Sequence, residues 1–319
     1  MTITAAFSEA GRSRGGPATR RLFRIDEQTR VLALTSWQAN PLCAPTVLVA
    51  HGLVGDANAG YIRGVTRKLV SAGFNVVRLN ARNAHGTEAL TPTLYHIGLT
   101  DDLRSVAETL HSEGHRRMYL VGFSMGANVA LKLAAEYGPS RPEWLAGVVA
   151  ISPPLDVAAS SAAISQGLAN GLYEQHFLIS LKRLIVRKAK LYPDRYDARG
   201  VWRLRTLWDF DDRYIAPCFG FDGADDYYHH AGAGRLVHRI AAPTLVVHAR
   251  DDTMIPFAPF ERWRSARPRE VMFMTPAHGG HVGFIGRGRA CNRYWRDPDR
   301  FWCENRVVQF LHWLESQRS

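Results

Sequence analysis

The chain is poor in the features that mark cross-linked, membrane-spanning or metal-built proteins. It has four cysteines in 319 residues. Cys43, Cys218, Cys291 and Cys303 stand far apart with no C-x-x-C spacing, which excludes a disulfide-stapled scaffold and a cysteine-built zinc site. No run reaches the ~18 apolar residues of a membrane-spanning helix. The best one, Trp144 to Ile151, has the length of a buried strand. The N-terminus lacks the apolar core of a secretory signal. Acidic residues are also few, 29 against 40 Lys plus Arg, for a net charge of +11. These absences lead us to expect a cytoplasmic protein without metal or cofactor.

The basic excess falls in three places: the N-terminal residues, Lys182 to Lys190, and Arg262 to Arg300. Before residue 22 only Glu9 is acidic, and residues 1–21 read as a disordered Arg-rich tail, with a transit peptide as the alternative. No stretch interleaves aromatics as a nucleic-acid module would. The charge therefore reads as solvated surface with no specific nucleic-acid partner. Lys182 to Lys190, with Leu181, Leu184 and Ile185 at helical spacing, reads as a solvated face over an acyl pocket. Weak contact with a membrane surface is its alternative.

What is abundant is an alternation of strands and helices. Val31 to Trp37 suggests an edge strand. Short apolar runs at Pro45 to Ala50, Asn75 to Asn80, Arg117 to Val121, Leu145 to Ile151, Thr244 to His248 and Glu270 to Met274 suggest further strands. Helical patterns follow several of them, at Tyr61 to Leu69, at Ala127 to Ala135, and after Thr100, a candidate N-cap. A last helix is expected from about Asn305 to Leu314. Such alternation predicts an α/β fold: a mostly parallel sheet flanked by helices, with ligands binding beyond the strand C-terminal ends. Residues 155–240 break the rhythm and read as a helical cap inserted into a core of 22–154 and 241–319.

Two pentapeptides fit G-x-S-x-G. Gly11 to Gly15 has no strand before it and no helix after it. Gly122-Phe123-Ser124-Met125-Gly126 has both, which is the context a strained nucleophile turn requires. Serine at neutral pH needs a base, and the base needs a carboxylate to orient it. Both are available beyond later strand ends, in the order serine, acid, histidine. Asp252 is favoured as the acid because it lies closer to the loop, with Asp251 as its alternative. His281 is favoured as the base because it follows the Gly279-Gly280 pair, with His278 as its alternative. The backbone N–H groups of Met125 and of Leu53, in His51-Gly-Leu-Val-Gly55, are candidate donors to an oxyanion. Tyr95 and His96 read as braces of the neighbouring loop, and Tyr227-Tyr228 as packing in the cap. His229-His230 lacks a third ligand at metal spacing.

Taken together, His51-Gly-Leu-Val-Gly55, Asn80-Ala-Arg82, Leu90 to His96, Gly122 to Asn128, Asp226-Tyr-Tyr228 and Gly279 to Phe284 resemble the YheT-like (abhydrolase 4) group of carboxylesterases, within the α/β-hydrolase superfamily. The resemblance runs from about Val31 to Leu314. It implies a serine hydrolase acting on short-chain or acylglycerol-like esters, with Ser124, Asp252 and His281 as the charge relay. The partner it implies is a small-molecule or lipid ester. Cleavage of amides or thioesters on the same triad, or binding without turnover, are the alternatives. Asn83-Ala-His-Gly86 and the Arg287 to Arg300 insertion depart from the group's pattern and bear on substrate range.

Overall fold

The computed structural model describes residues 18–265, 267–286 and 297–318. Eight strands form one sheet in the order β1-β2-β4-β3-β5-β6-β7-β8. They are β1 (Thr19–Arg24), β2 (Arg30–Ser36), β3 (Thr46–Ala50), β4 (Asn75–Leu79), β5 (Met118–Phe123), β6 (Leu145–Ile151), β7 (Thr244–Val247) and β8 (Val271–Met274). β1 pairs antiparallel with β2, and β2 antiparallel with β4; every other neighbouring pair is parallel. In β5 and β6 every residue is buried, as expected of central parallel strands covered on both faces.

The helices of eight or more residues are α1 (Gly60–Ser71), α2 (Asp101–Ser112), α3 (Met125–Tyr137), α4 (Val157–Ile164), α5 (Leu168–Leu191), α6 (Ala224–Ala231), α7 (Phe257–Ser265) and α8 (Trp302–Ser316). On one sheet face Leu103, Val106 and Leu110 of α2 and Ala127, Ala130 and Leu131 of α3 enter the core. On the other, Ile62, Val65 and Leu69 of α1 meet Val307 and Leu311 of α8. α4, α5 and α6 lie in the chain between β6 and β7, where no strand occurs among the described residues. Their apolar side chains form a third cluster with Leu94, Tyr95, Met125 and Met254, from the loops beyond the strand ends and the start of α3.

Four expectations need correction. The expected tail, residues 1–21, overlaps β1 at Thr19–Arg21. Residues 1–17, with the Gly11–Gly15 pentapeptide, lie outside the described residues, as do residues 287–296 of the Arg287–Arg300 insertion. β2 is therefore not the edge of the sheet, because β1 pairs along its outer side. Phe23, 2% exposed, is the one side chain of β1 in the core, and its arginine neighbours hide that signal in the sequence. Thr100 does precede α2, but its side chain makes no cap hydrogen bond. Its hydroxyl donates instead to Glu136 Oε2 at 2.7 Å.

Lys182 to Lys190 is not a fully solvated face either, since Lys182 and Lys188 are buried. Lys182 Nζ donates to Leu204 O at 2.6 Å. Lys188 Nζ donates to the Glu88 and Thr91 carbonyls, and burial pushes its ammonium down to about 8. Their long stems pack inward, and the amines meet backbone carbonyls of neighbouring segments.

Candidate active site

Ser124 sits between β5 and α3 with φ 52° and ψ −119°, outside the regions a residue with a β-carbon ordinarily occupies. The flanking glycines permit it. A Cβ on Gly122 would run into the Gly126 carbonyl, and one on Gly126 would lie 2.5 Å from Ala50 O in β3. The turn is thus held against the neighbouring strand, and the serine projects beyond the sheet edge at the N-terminus of α3.

His281 and Asp252 meet Ser124 there. Ser124 Oγ lies 2.9 Å from His281 Nε2, and His281 Nδ1 lies 2.9 Å from Asp252 Oδ2. A carboxylate only accepts, so Nδ1 carries the proton and Nε2 is left to accept the serine hydroxyl. The Asp252 side chain is fully buried and that of His281 is 11% exposed. Asp252 Oδ1 accepts the backbone N–H groups of Met254 and Ile255, both at 3.0 Å. Burial alone would raise this carboxyl. The charge and hydrogen bond of His281, with His248 and the Ile255 amide, outweigh it and hold the group below its usual range.

Asp251 and His278 pair with each other instead, at 3.3 Å and in solvent. Asp251 Oδ1 also accepts the backbone N–H groups of Gly279 and Gly280, at 2.9 and 2.8 Å. It anchors the loop that carries His281 without touching Ser124.

The loop after β3 is tied at each residue around Leu53. Gly52 N donates to Tyr61 Oη at 3.0 Å, and Val54 N to Tyr95 Oη at 3.3 Å. His51 Nδ1 donates to Gly52 O at 2.7 Å, while its Nε2 accepts Ala81 N at 3.1 Å. Burial pushes His51 below its usual range and so favours the neutral ring that this two-ended arrangement requires. Leu53 N and Met125 N have no protein acceptor among the described residues. Both residues line the same cavity as Ser124 and His281. Of these braces only Tyr95 was expected. Tyr61 stands at a helix start and His51 pairs across 30 residues, so neither role leaves a local signal. His96 lies at the cavity wall, its edge against Phe219, and burial pushes it down to about 3.

The cavity has a volume of about 580 Å³, in the range of small-molecule sites. Its floor is the strand-end loops, and its walls include Ile164, Phe177 and Leu181 of α4 and α5. Tyr227 and Tyr228 are buried beside it; Tyr227 Oη accepts Ile97 N at 3.1 Å. Among the described residues no group of three or more His, Cys, Asp or Glu could hold a metal ion, and no helix is long and apolar enough to cross a membrane.

Comparison with known proteins agrees with this architecture. The family profile of the alpha/beta hydrolase fold matches residues 45–287. YheT of Escherichia coli, a protein named for an expected esterase activity, is 31% identical over 86% of this chain and 80% of its own length. The monoacylglycerol lipase of Saccharomyces cerevisiae is 27% identical over 80% of this chain, which spans 58% of that longer protein. Among solved structures, the Pyrococcus furiosus esterase Pf2001 shares the fold with a TM-score of 0.58 at 16% identity, over 93% of this chain and 92% of its own. Est1E of Butyrivibrio proteoclasticus does so with a TM-score of 0.59 at 12% identity, over 93% and 99%. The chain belongs to the α/β-hydrolase fold family, in its YheT-like esterase group.

Proposed function

We propose that this protein hydrolyses carboxylic esters through an acyl-enzyme on Ser124, with residues 155–240 acting as the cap that shapes the substrate pocket. The observation that carries the reading is the unbroken hydrogen-bonded series from Ser124 Oγ through His281 to buried Asp252, at the floor of a largely apolar cavity. Its esterase- and lipase-named relatives agree with ester substrates.

In the acylation step, His281 Nε2 takes the Ser124 proton as Oγ bonds to the substrate carbonyl carbon. The carbonyl oxygen becomes an oxyanion, and the Leu53 and Met125 amides are available to donate to it. Asp252 stabilises the imidazolium without accepting its proton. His281 then returns the proton to the leaving alkoxide as the ester C–O bond breaks. Water, deprotonated by the same nitrogen, attacks the acyl-enzyme, and the carboxylic acid leaves as Ser124 regains its proton.

The reading is tested by treating the protein with a fluorophosphonate and mapping the adduct by peptide mass, alongside hydrolysis of p-nitrophenyl butyrate. Labelling of Ser124 and a fall of several orders of magnitude in kcat/KM for Ser124→Ala are expected. A Ser124→Ala protein that cleaves the ester at the original rate would overturn it.

A further inference from the structure

Three carboxylates line the cavity: Asp56, Glu304 and Asp211. Asp56 pairs with His85 at 3.0 Å, and Glu304 with Lys68 at 3.3 Å. Asp211 has no cationic partner among the described residues, and its hydrogen bond is from the Tyr228 hydroxyl to Oδ2, at 2.8 Å. Ser161 Oγ lies 3.0 Å from the same hydroxyl and also lines the cavity. Asp211, Tyr228 and Ser161 thus form a polar row beside Val157, Ile164, Phe210 and Ile215, with Ser160, Tyr173 and His176 also lining the cap side of the cavity.

The backbone at this point is unusual as well. Asp211–Ile215 is one turn of π-helix, a form that costs stability and recurs at functional sites. The adjacent Asp212 is exposed and accepts Ala224 N at 3.0 Å. Burial pushes the Asp211 carboxyl up to about 7, against the hydrogen bond from Tyr228 that pulls it down. Asp211 is partly exposed at the cavity wall, where its Oδ1, with no hydrogen-bond partner among the described residues, is free to meet a bound group.

We propose that Asp211, backed by Tyr228 and Ser161, is a subsite for a substrate hydroxyl, which narrows the acylglycerol-like esters implied by the family resemblance to uncharged ones that keep a free hydroxyl toward the cap wall. Three considerations select this chemistry. An anionic group is repelled whenever the carboxyl is ionised. A cationic substrate must enter against the protein's net charge of +11. A hydroxyl donates to the free Oδ1 whether the group is ionised or neutral, since a neutral carboxyl keeps acceptor capacity. The assignment of the bound molecule as a substrate rests on the hydrolase reading, but the subsite itself does not.

The test therefore uses a ligand that cannot be cleaved. Calorimetric binding of 1-O-hexylglycerol, an ether, is compared with binding of hexyl propyl ether, which lacks the hydroxyls. Wild type and Ser124→Ala should both bind the glycerol ether roughly tenfold more tightly, the size of one hydrogen bond to a partly buried polar group. Asp211→Leu should abolish the difference while the plain ether binds as before. Asp211→Ala, which adds no bulk and favours helix, gives the same readout if the leucine variant does not fold. Equal affinity for the two ethers in wild type, absence of binding by either, or a difference that survives both substitutions overturns the proposal. In kinetics, the kcat/KM ratio of glycerol monobutyrate to propyl butyrate should fall roughly tenfold in Asp211→Ala. Loss of turnover in Ser124→Ala bears on the hydrolase reading alone, because ether binding needs no nucleophile.

Discussion

Two aspartate–histidine pairs stand side by side beyond β7 and β8, made from adjacent aspartates and from histidines three residues apart. Asp252 and His281 meet at 2.9 Å with side chains 0% and 11% exposed, and Ser124 lies on the far nitrogen of the ring. Asp251 and His278 meet at 3.3 Å with side chains 42% and 90% exposed. The residue types are the same, and only the surroundings differ. In the inner pair, low dielectric strengthens the pairing, and three hydrogen bonds fix the carboxylate. In the outer pair, water competes for both partners, and an exposed ion pair contributes little. The geometry of the first pair is over-determined, and the proposed proton relay rests on it. For the second, the contacts that matter are those from Asp251 to the backbone.

The comparison breaks most visibly at His281. His281→Ala should lower kcat/KM for p-nitrophenyl butyrate by roughly 10⁴-fold or more, since serine loses its base. Retention of activity would shift the role to His278. Asp252→Asn should follow with a loss of about 10³- to 10⁴-fold, the amide being unable to hold the imidazole in the tautomer that accepts from Ser124. The same substitution carries a pH signature. The folded-state carboxyl of Asp252 is depressed, so its stabilising contribution is present above the ordinary carboxylate range and is lost as pH falls through the folded value. Denaturant titrations of Asp252→Asn should show a shallower loss of stability below about pH 4 than wild type. Parallel acid profiles would contradict the depressed carboxyl.

What the sequence made legible tracks how local each signal is. The extent of β6, and the strand and helix on either side of Ser124, follow from apolar runs and small residues within a few positions. The choice between adjacent aspartates could be ranked but not settled, because both lie within one turn of the same strand end. Outside the Ser124, Asp252 and His281 set and the Tyr95 brace, contacts between separate segments left no trace. Tyr61 on Gly52, Ala81 on His51 and Lys188 on the Thr91 carbonyl are each a polar group meeting backbone many residues away. β1 was hidden for another reason. Three arginines surround Phe23, and the composition of a strand with one buried side chain is that of a tail.

Asp251 sharpens the contrast from the other side. Its Oδ1 holds two successive amides of the loop that carries His281, and Asp251→Ala releases both. The amides can turn to water, so the cost to stability should be modest, about 1–2 kcal/mol. The positional cost should appear in kcat, with a loss of roughly tenfold, because the histidine ring is no longer held over Ser124. KM should change little, and the ring itself remains, so fluorophosphonate labelling should slow rather than stop. A loss as large as that of Asp252→Asn would mean that Asp251 is the orienting carboxylate.

His278→Ala should have the smallest effect, and the reasons are physical rather than a matter of distance along the chain. The His278 ring meets Asp251 on its exposed side, at 3.3 Å, and Asp251 keeps both backbone donors when the ring is gone. No buried group is left without a partner, which is what makes most deletions costly. Activity should stay within about twofold of wild type, and the change in stability within about 0.5 kcal/mol. The measurement is also a control on the larger substitutions. If His278→Ala and Asp251→Ala were equally harmful, the loop would be held through the imidazole, not through the two glycine amides. If only Asp251→Ala is harmful, the backbone contacts carry the positioning, and the outer pair resembles the inner one in residue type alone.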